Sequence, residues 1–318
     1  MKLKLWGVRG SIPTPLSGET IKSKIKYALT NAKLGDISSE ESINSYIESL
    51  PFYIKSTYGG NTTSMEVVTD SGELIIIDCG SGLKNLGKEL MAGDFGTGKG
   101  HANIFLTHTH WDHIQGVPFF VPFFVPGNVF NIYSSVPDLK ERLDHQQVFT
   151  HFPIDLNYML ATKNFFEIET DSEFFLNDTR IFVKMMPHPG GSYGIRIEDK
   201  GKTFVYSSDC EFNLEEIDKI ESFKELFENA DLVIFDTQYT FDEAINKLDW
   251  GHSSASIAID IATTFNVKRL LLFHHDPEYD DEKLENVLSS ARSYMHMKTK
   301  RGHELEVDIA IEGMVVNI

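Results

Sequence analysis

The run Asn103-Ile104-Phe105-Leu106-Thr107 leads directly into His108-Thr109-His110-Trp111-Asp112-His113. Its apolar and β-branched side chains predict a buried strand. A core strand must therefore deliver three imidazoles and a carboxylate to one loop, an arrangement that is unfavourable unless something cationic holds it. Along extended backbone, His108, His110 and Asp112 alternate with a period of two and share one side, whereas His113 points elsewhere. One segment can then serve two adjacent cations.

A metal centre needs more ligands than one loop supplies, and isolated His and Asp residues at other strand ends provide them. Asp78 closes Ile75-Ile76-Ile77, and Asp209 closes Phe204-Val205-Tyr206-Ser207-Ser208. His274 and His275 close Leu270-Leu271-Leu272-Phe273, and His188 lies in Met186-Pro187-His188-Pro189-Gly190-Gly191. Residues delivered where a chain leaves the core occupy the usual position of α/β active sites.

Composition limits the function classes. The 318 residues are 41% hydrophobic, enough for a substantial core, and contain no apolar run of bilayer length. The first residues lack the features of a secretory signal. The two cysteines, Cys79 and Cys210, are too few for a disulfide framework and read as small buried hydrophobes, so a reducing cytoplasm fits. The net charge of −18 argues against a large nucleic acid as the main substrate, because phosphate binders carry basic faces. The densest basic patch is Lys298-Thr299-Lys300-Arg301.

Strand patterns over 1–8, 64–69 and 73–78 are interrupted by helical spacing between residues 16 and 55, where Ile21, Ile25 and Leu29, then Ile43, Ile47 and Leu50, recur at helical intervals. This segment reads as a helical insertion serving as a lid, a contact surface or plain packing. Further strands are predicted over 129–134, 165–169, 179–186, 193–198, 203–207, 232–235 and 269–273, with closing strands over 307–311 and 314–318. Helices are predicted over 138–149, 214–228, 253–264 and 281–296. The pattern gives one layered α/β domain over 1–318, with helices outside two sheets. The aromatic residues Trp111, Phe119, Phe120, Phe123 and Phe124 form either a wall at the pocket mouth or a packed loop core.

The order His108-x-His110-x-Asp112-His113, His188, Asp209, His274 resembles the metallo-β-lactamase superfamily, over nearly the whole chain apart from the helical segment. The resemblance implies a four-layer αββα sandwich with a dinuclear metal site at one edge. It assigns His108, His110 and His188 to the first cation, Asp112, His113 and His274 to the second, and Asp209 as a bridge to both, beside a bridging water or hydroxide. Asp78 matches a residue that orients the ligand loop. The nitrogen and oxygen donors suit Zn²⁺, the default, and also Mn²⁺ or Fe²⁺.

The segments Phe235-Asp236-Thr237 and Trp250-Gly251-His252-Ser253-Ser254 resemble the Glu…Gly-His-Ser-Thr pair of the ribonuclease Z and phosphoribosyl cyclic phosphodiesterase branch, with Asp236 one methylene shorter than the usual Glu. The resemblance makes His252 the general acid, Asp236 its partner, Asp112 a further catalytic residue and the bridging hydroxide the nucleophile. The turns around Arg9 and Asn61 and the His274-His275-Asp276-Pro277 run look like the same branch. There Arg9 and Asn61 either meet substrate or brace turns, and His275 is either a third-metal group or structural. Ser192 matches a serine near the phosphate. The expected activity is hydrolysis of a small phosphodiester, such as a cyclic nucleotide or ribose cyclic phosphate. The alternatives are a ribonuclease Z-like tRNA 3′-endonuclease, a glyoxalase II-like thioester hydrolase and a nucleotide-binding sensor. No membrane partner is expected, and a homodimer is compatible.

Overall fold

The apolar strand runs lie side by side in a computed structural model that describes residues 1–212, 217–298 and 304–318, the side chains of 217–219 excepted. Two sheets of seven strands result. The first has β1 (Lys2–Gly7), β2 (Ser64–Val68), β3 (Leu74–Ile77), β4 (His101–Phe105), β5 (Val129–Ser134) and β6 (Thr162–Glu167) side by side, with β14 (Val315–Asn317) beside β1. The second orders β7 (Ser172–Leu176), β8 (Thr179–Met186), β9 (Ser192–Asp199), β10 (Lys202–Tyr206), β11 (Leu232–Asp236), β12 (Arg269–Phe273) and β13 (Glu306–Ile309). Within each sheet four consecutive strands pair in parallel, β3 to β6 and β10 to β13. Their carboxyl ends form the edge where the candidate residues emerge.

The helices are α1 (Gly18–Asn31), α2 (Glu40–Ser49), α3 (Phe52–Lys55), α4 (Leu83–Leu90), α5 (Trp111–Ile114), α6 (Leu139–Gln146), α7 (Lys224–Phe227), α8 (Phe241–Asn246), α9 (Ala255–Thr264) and α10 (Asp281–Lys298). Alternation along the strands explains the layering. Leu3, Leu5, Met65, Val67, Ile75 and Ile77 turn inward to meet Ile181, Ile195, Phe204, Ile234 and Phe273 between the sheets. Ile76, Ala102, Ile104 and Ile132 turn outward against Leu83, Leu86 and Leu143 of α4 and α6. On the far side Val205, Val233, Phe235 and Leu272 meet Leu226, Ile259, Ala262 and Leu284 of α7, α9 and α10. The result is the αββα sandwich. No helix among the described residues is long and apolar enough to cross a membrane.

Several elements depart from expectation. Strand β7 was absent from the sequence reading because Ser172-Glu173-Phe174-Phe175-Leu176 is short and half exposed at a sheet edge. Residues 214–216 of the helix expected over 214–228 lie outside the described residues, and its remainder is a 3₁₀ turn followed by the short α7. In the basic run at 298–301, residues 299–301 also lie outside them. Phe120 and Phe123 are core residues packed edge-on around Phe130, whereas Trp111 and Phe119 are exposed.

Candidate metal centre

The ligand loop stays extended only to His110. Helix α5 begins at Trp111, so Asp112 and His113 sit on a helical turn. The period-two reading, which put Asp112 on the side of His108 and His110, is thereby corrected. A half-turn of helix swings Asp112 toward His113 and His274 instead. Ligand atoms of His108, His110, His188 and Asp209 form one group, and those of Asp112, His113, Asp209 and His274 form another, each within 4.8 Å of one another. Asp209 belongs to both.

The chain enters this edge through left-handed turns at three non-glycine residues, Asp78, Ser208 and His274, each just beyond a parallel strand. Such conformations are unfavourable by about 1–3 kcal/mol and cluster at functional sites. Gly10 and Gly251 supply close approach. A Cβ on Gly10 would stand 2.5 Å from the His274 ring, and one on Gly251 would stand 2.4 Å from His188 Nδ1.

Outer contacts orient four of the imidazoles. His188 Nδ1 donates to the Gly251 carbonyl at 2.8 Å, His113 Nδ1 to Asp78 Oδ2 at 2.8 Å, and His274 Nδ1 to Gln238 Oε1 at 3.0 Å. His108 Nδ1 lies 3.1 Å from Thr107 Oγ1, which itself donates to the Asp78 carboxylate. In each case Nε2 is left to face the site. Thr107 N also donates to Asp78 Oδ1, so this buried carboxylate ties the strand end to α5. Ser11 N donates to Asp112 Oδ2 at 2.7 Å. The roles of Gln238, Gly251 and Ser11 went unread in sequence. Gln238 had one signal, its position two residues past Asp236 on an extended exit.

The donor set fits a pair of divalent cations. Among the described residues, His108 Nε2 and Asp209 Oδ1 are buried with no hydrogen-bond partner. His188 Nε2 faces His110 Nδ1 at 3.1 Å, and Asp209 Oδ1 lies 3.2 Å from His113 Nε2 and 3.3 Å from His274 Nε2. Donors about 2.0–2.1 Å from a tetrahedral ion stand roughly 3.4 Å apart, so these spacings are those of ligands around a shared centre.

Charge inside the protein points the same way. Burial alone disfavours every ionised form, yet the nearby imidazoles hold Asp112 and Asp209 well below the usual carboxylate range. Burial likewise pulls His113 and His274 down, but the surrounding carboxylates outweigh it, Asp209 foremost; His113 is raised well above its ordinary value and His274 to about 9. Burial lowers His110 to about 4 and His188 to about 3, keeping them neutral. A cation binding the second group must therefore displace protons from His113 and His274. Below pH about 9 the proton on His274 competes with metal, so apparent affinity is expected to rise with pH by about tenfold per unit for each proton displaced. Chelator-competition titrations with zinc from pH 6 to 9 measure this slope, and a flat profile would contradict the assignment.

His252 and Asp236 stand beside the metal groups. His252 Nδ1 donates to Asp236 Oδ2 at 2.8 Å, so the shorter carboxylate reaches its partner. Asp236 also accepts from the Cys210 and Gln238 amides. The His252 ring lies 5.0 Å from that of His274 and 5.5 Å from that of His188.

The remaining candidates are held by the scaffold. Asn61 Nδ2 donates to Glu312, and its carbonyl accepts from Ser81. Buried Arg9 donates to the carbonyls of Gly59, Asp276 and Tyr279. His275 Nε2 donates to Ala310 O, and burial lowers it to about 3. Ser192 opens β9 with a buried hydroxyl that has no hydrogen-bond partner among the described residues.

A model of the beta-lactamase superfamily domain matches residues 74–275, more than half of the chain. The chain belongs to that superfamily and is a metal-dependent hydrolase. Among curated proteins it is similar to ribonuclease Z of Picrophilus torridus, 26% identical over 241 residues that cover 60% of this chain and 73% of that protein. Among solved structures it resembles the metallo-beta-lactamase fold protein YhfI of Bacillus subtilis, with a TM-score of 0.63, 19% identity and coverage of 99% of this chain and 98% of that one. A diphosphatase from the PhnP family superposes with a TM-score of 0.58 at 16% identity, covering 100% of this chain and 97% of that one.

Proposed function

We propose that this protein is a phosphodiesterase that hydrolyses a small phosphodiester, such as a cyclic nucleotide or ribose cyclic phosphate. The observation that carries this reading is the His252–Asp236 pair, 2.8 Å apart, set beside two donor groups that share Asp209. Thioester cleavage has no need of this pair, because a thiolate leaves without a proton, whereas a departing alkoxide requires one.

His108, His110 and His188 would hold one divalent cation, Asp112, His113 and His274 the other, and Asp209 both. Zinc is favoured by the donor set. When bound there, such a pair would supply Lewis acidity to phosphoryl oxygens and lower the pKa of water towards about 7. The protein contributes position and protons. Asp236 orients the His252 ring, as a carboxylate does behind a catalytic histidine. The other ring nitrogen, Nε2, carries the proton to the departing oxygen. Gln238, Asp78 and the Gly251 carbonyl fix the ligand tautomers. A cytoplasmic location fits the two free buried cysteines.

Similarity to ribonuclease Z sustains a second reading, cleavage of precursor tRNA. The net charge of −18 weighs against it. A zinc- and manganese-supplemented panel of 2′,3′- and 3′,5′-cyclic nucleotides, bis(p-nitrophenyl) phosphate, precursor tRNA and S-lactoylglutathione decides the matter. The small diesters are expected to turn over fastest. Fastest turnover of tRNA or the thioester would replace this reading.

The homodimer finds support in α1 and α2. Neither helix has a buried residue, and Ile21, Ile25, Leu29, Ile43 and Ile47 are exposed. Helices of 14 and 10 residues are marginal without a packed face. Residues 16–55 hold five lysines and five acidic residues, so the −18 lies elsewhere. Lysines 22, 24 and 26 make α1 basic, and glutamates 40, 41 and 48 make α2 acidic. A two-fold axis would set each α1 against the partner's α2. Sedimentation should give a dimer at micromolar concentration, and Ile25→Asp with Leu29→Asp should give a monomer. A wild-type monomer throughout would refute the pairing.

A further inference from the structure

Two of the three tryptophans lie within two residues of candidate-site residues in the chain, and both are exposed. Trp111 is 82% exposed although its chain neighbours His110 and Asp112 both belong to the donor groups. Trp250 is 63% exposed, one residue before Gly251 and two before His252. Trp6 is buried. Scattered surface apolar residues are ordinary. What sets these two apart is how firmly their backbones are held.

On either side of Trp250 the amides of Asp249 and Gly251 donate to Glu211, at 3.0 and 2.7 Å. Asp249 and Gly251 both adopt left-handed backbone, with φ of 66° and 90°. The Trp250 amide donates to Lys247 O. Strain at the non-glycine Asp249 is thus spent on a rigid turn whose one large side chain points into water. Trp111 is held likewise, as its carbonyl accepts from Gln115 N and its neighbour Asp112 accepts from Ser11 N. The His188 ring neighbours those of His110 and His252, with centroids 4.9 and 5.5 Å away. Trp111 directly follows His110 in the chain, and Trp250 precedes His252 by two residues. Cationic side chains reach the flanks of both segments. Arg142 donates to Thr109 Oγ1 at 3.1 Å, two residues before Trp111, and Lys247 Nζ lies 5.6 Å from the Trp250 ring centroid.

We propose that Trp111 and Trp250 are specificity-determining residues, platforms that select a substrate carrying a flat aromatic base next to its phosphate. This deepens the phosphodiesterase reading and rests on it. Trp250, two residues before the proposed acid His252, takes the base, while Arg142, held by Thr109 next to His110, meets negative charge. An indole offers 150–250 Å² of surface, and stacking on it accepts every base because each has a π-face. The selection is therefore for a nucleoside phosphate over a base-free ribose phosphate, with little preference among bases.

The test titrates the protein with AMP and, in parallel, ribose 5-phosphate, following indole emission. With Trp6 buried, Trp111 and Trp250 are the tryptophans that a ligand at the site can quench. AMP should quench and saturate at concentrations where ribose 5-phosphate does not. Trp250→Ala should weaken AMP by roughly 5- to 150-fold, and Trp250→Phe should restore most of the affinity. In kinetics, the ratio of kcat/KM for adenosine 2′,3′-cyclic phosphate to that for ribose cyclic phosphate should fall towards one in Trp250→Ala. Equal binding of AMP and ribose 5-phosphate, or AMP affinity unchanged in both Trp111→Ala and Trp250→Ala, would overturn the proposal. Equal turnover of both cyclic phosphates by the wild type would also overturn it while leaving the phosphodiesterase reading intact. AMP binding with no diester turned over would instead remove that reading and retain the aromatic platform.

Discussion

A His252→Ala variant is expected to bind both metal equivalents and yet lose turnover by roughly 10²–10⁴-fold, the usual contribution of a well-placed general acid. The expectation follows from the connections of the ring. Its Nδ1 is committed to Asp236 Oδ2 at 2.8 Å, and His252 belongs to neither of the two donor groups that share Asp209. Removing it takes away the proposed proton donor and leaves both donor groups in place. Metal content and kcat measured on one preparation separate the two effects. The loss should shrink for substrates whose leaving group is a good one, such as p-nitrophenolate, because that oxygen departs without a proton. A variant with wild-type kcat on an alkyl diester would remove His252 from the mechanism. One that loses metal in proportion to activity would make it a ligand instead.

Replacing Asp209 should act at a different level. Its Oδ2 lies 3.5 Å from His108 Nε2, and its Oδ1 lies within 3.3 Å of both His113 and His274. One carboxylate thus serves both groups, and Asp209→Ala should lower both metal equivalents together, with activity falling to background. His188→Ala, which touches the first group alone, should spare the second equivalent. Loss of a single equivalent in Asp209→Ala would deny the sharing. Thermal stability of the metal-free proteins is the necessary control. Removing a buried carboxylate also leaves His113 and His274 facing one another at 3.4 Å with less negative charge to hold their protons.

Much of the fold was legible because most strands carry their own signal. Ile75, Ile76 and Ile77, or Leu270, Leu271 and Leu272, are buried on both faces as continuous apolar runs, and the residue that breaks each run is a charged or titratable group at the sheet edge. What a sequence does not display is direction after the strand ends. The turn into α5 at Trp111 moved Asp112 from one donor group to the other, a matter of a few backbone angles that period-two reasoning cannot see. Contacts such as Gly251 O with His188, 63 positions away, are set by tertiary approach and leave only a glycine as their trace. The short α8 was hidden for a related reason. Its apolar residues Phe241 and Ile245 face solvent, so no burial pattern marked it. Its capping box, Thr240 with Glu243, was the one local clue.

The central claim is that distant histidines and aspartates converge on two cations with Asp209 between them. Anomalous diffraction at the zinc edge, from crystals grown with zinc, tests it most directly. The account predicts two peaks roughly 3.5–4 Å apart, both within bonding distance of the Asp209 carboxylate. A single peak, two peaks of which one avoids Asp209, or none would contradict it.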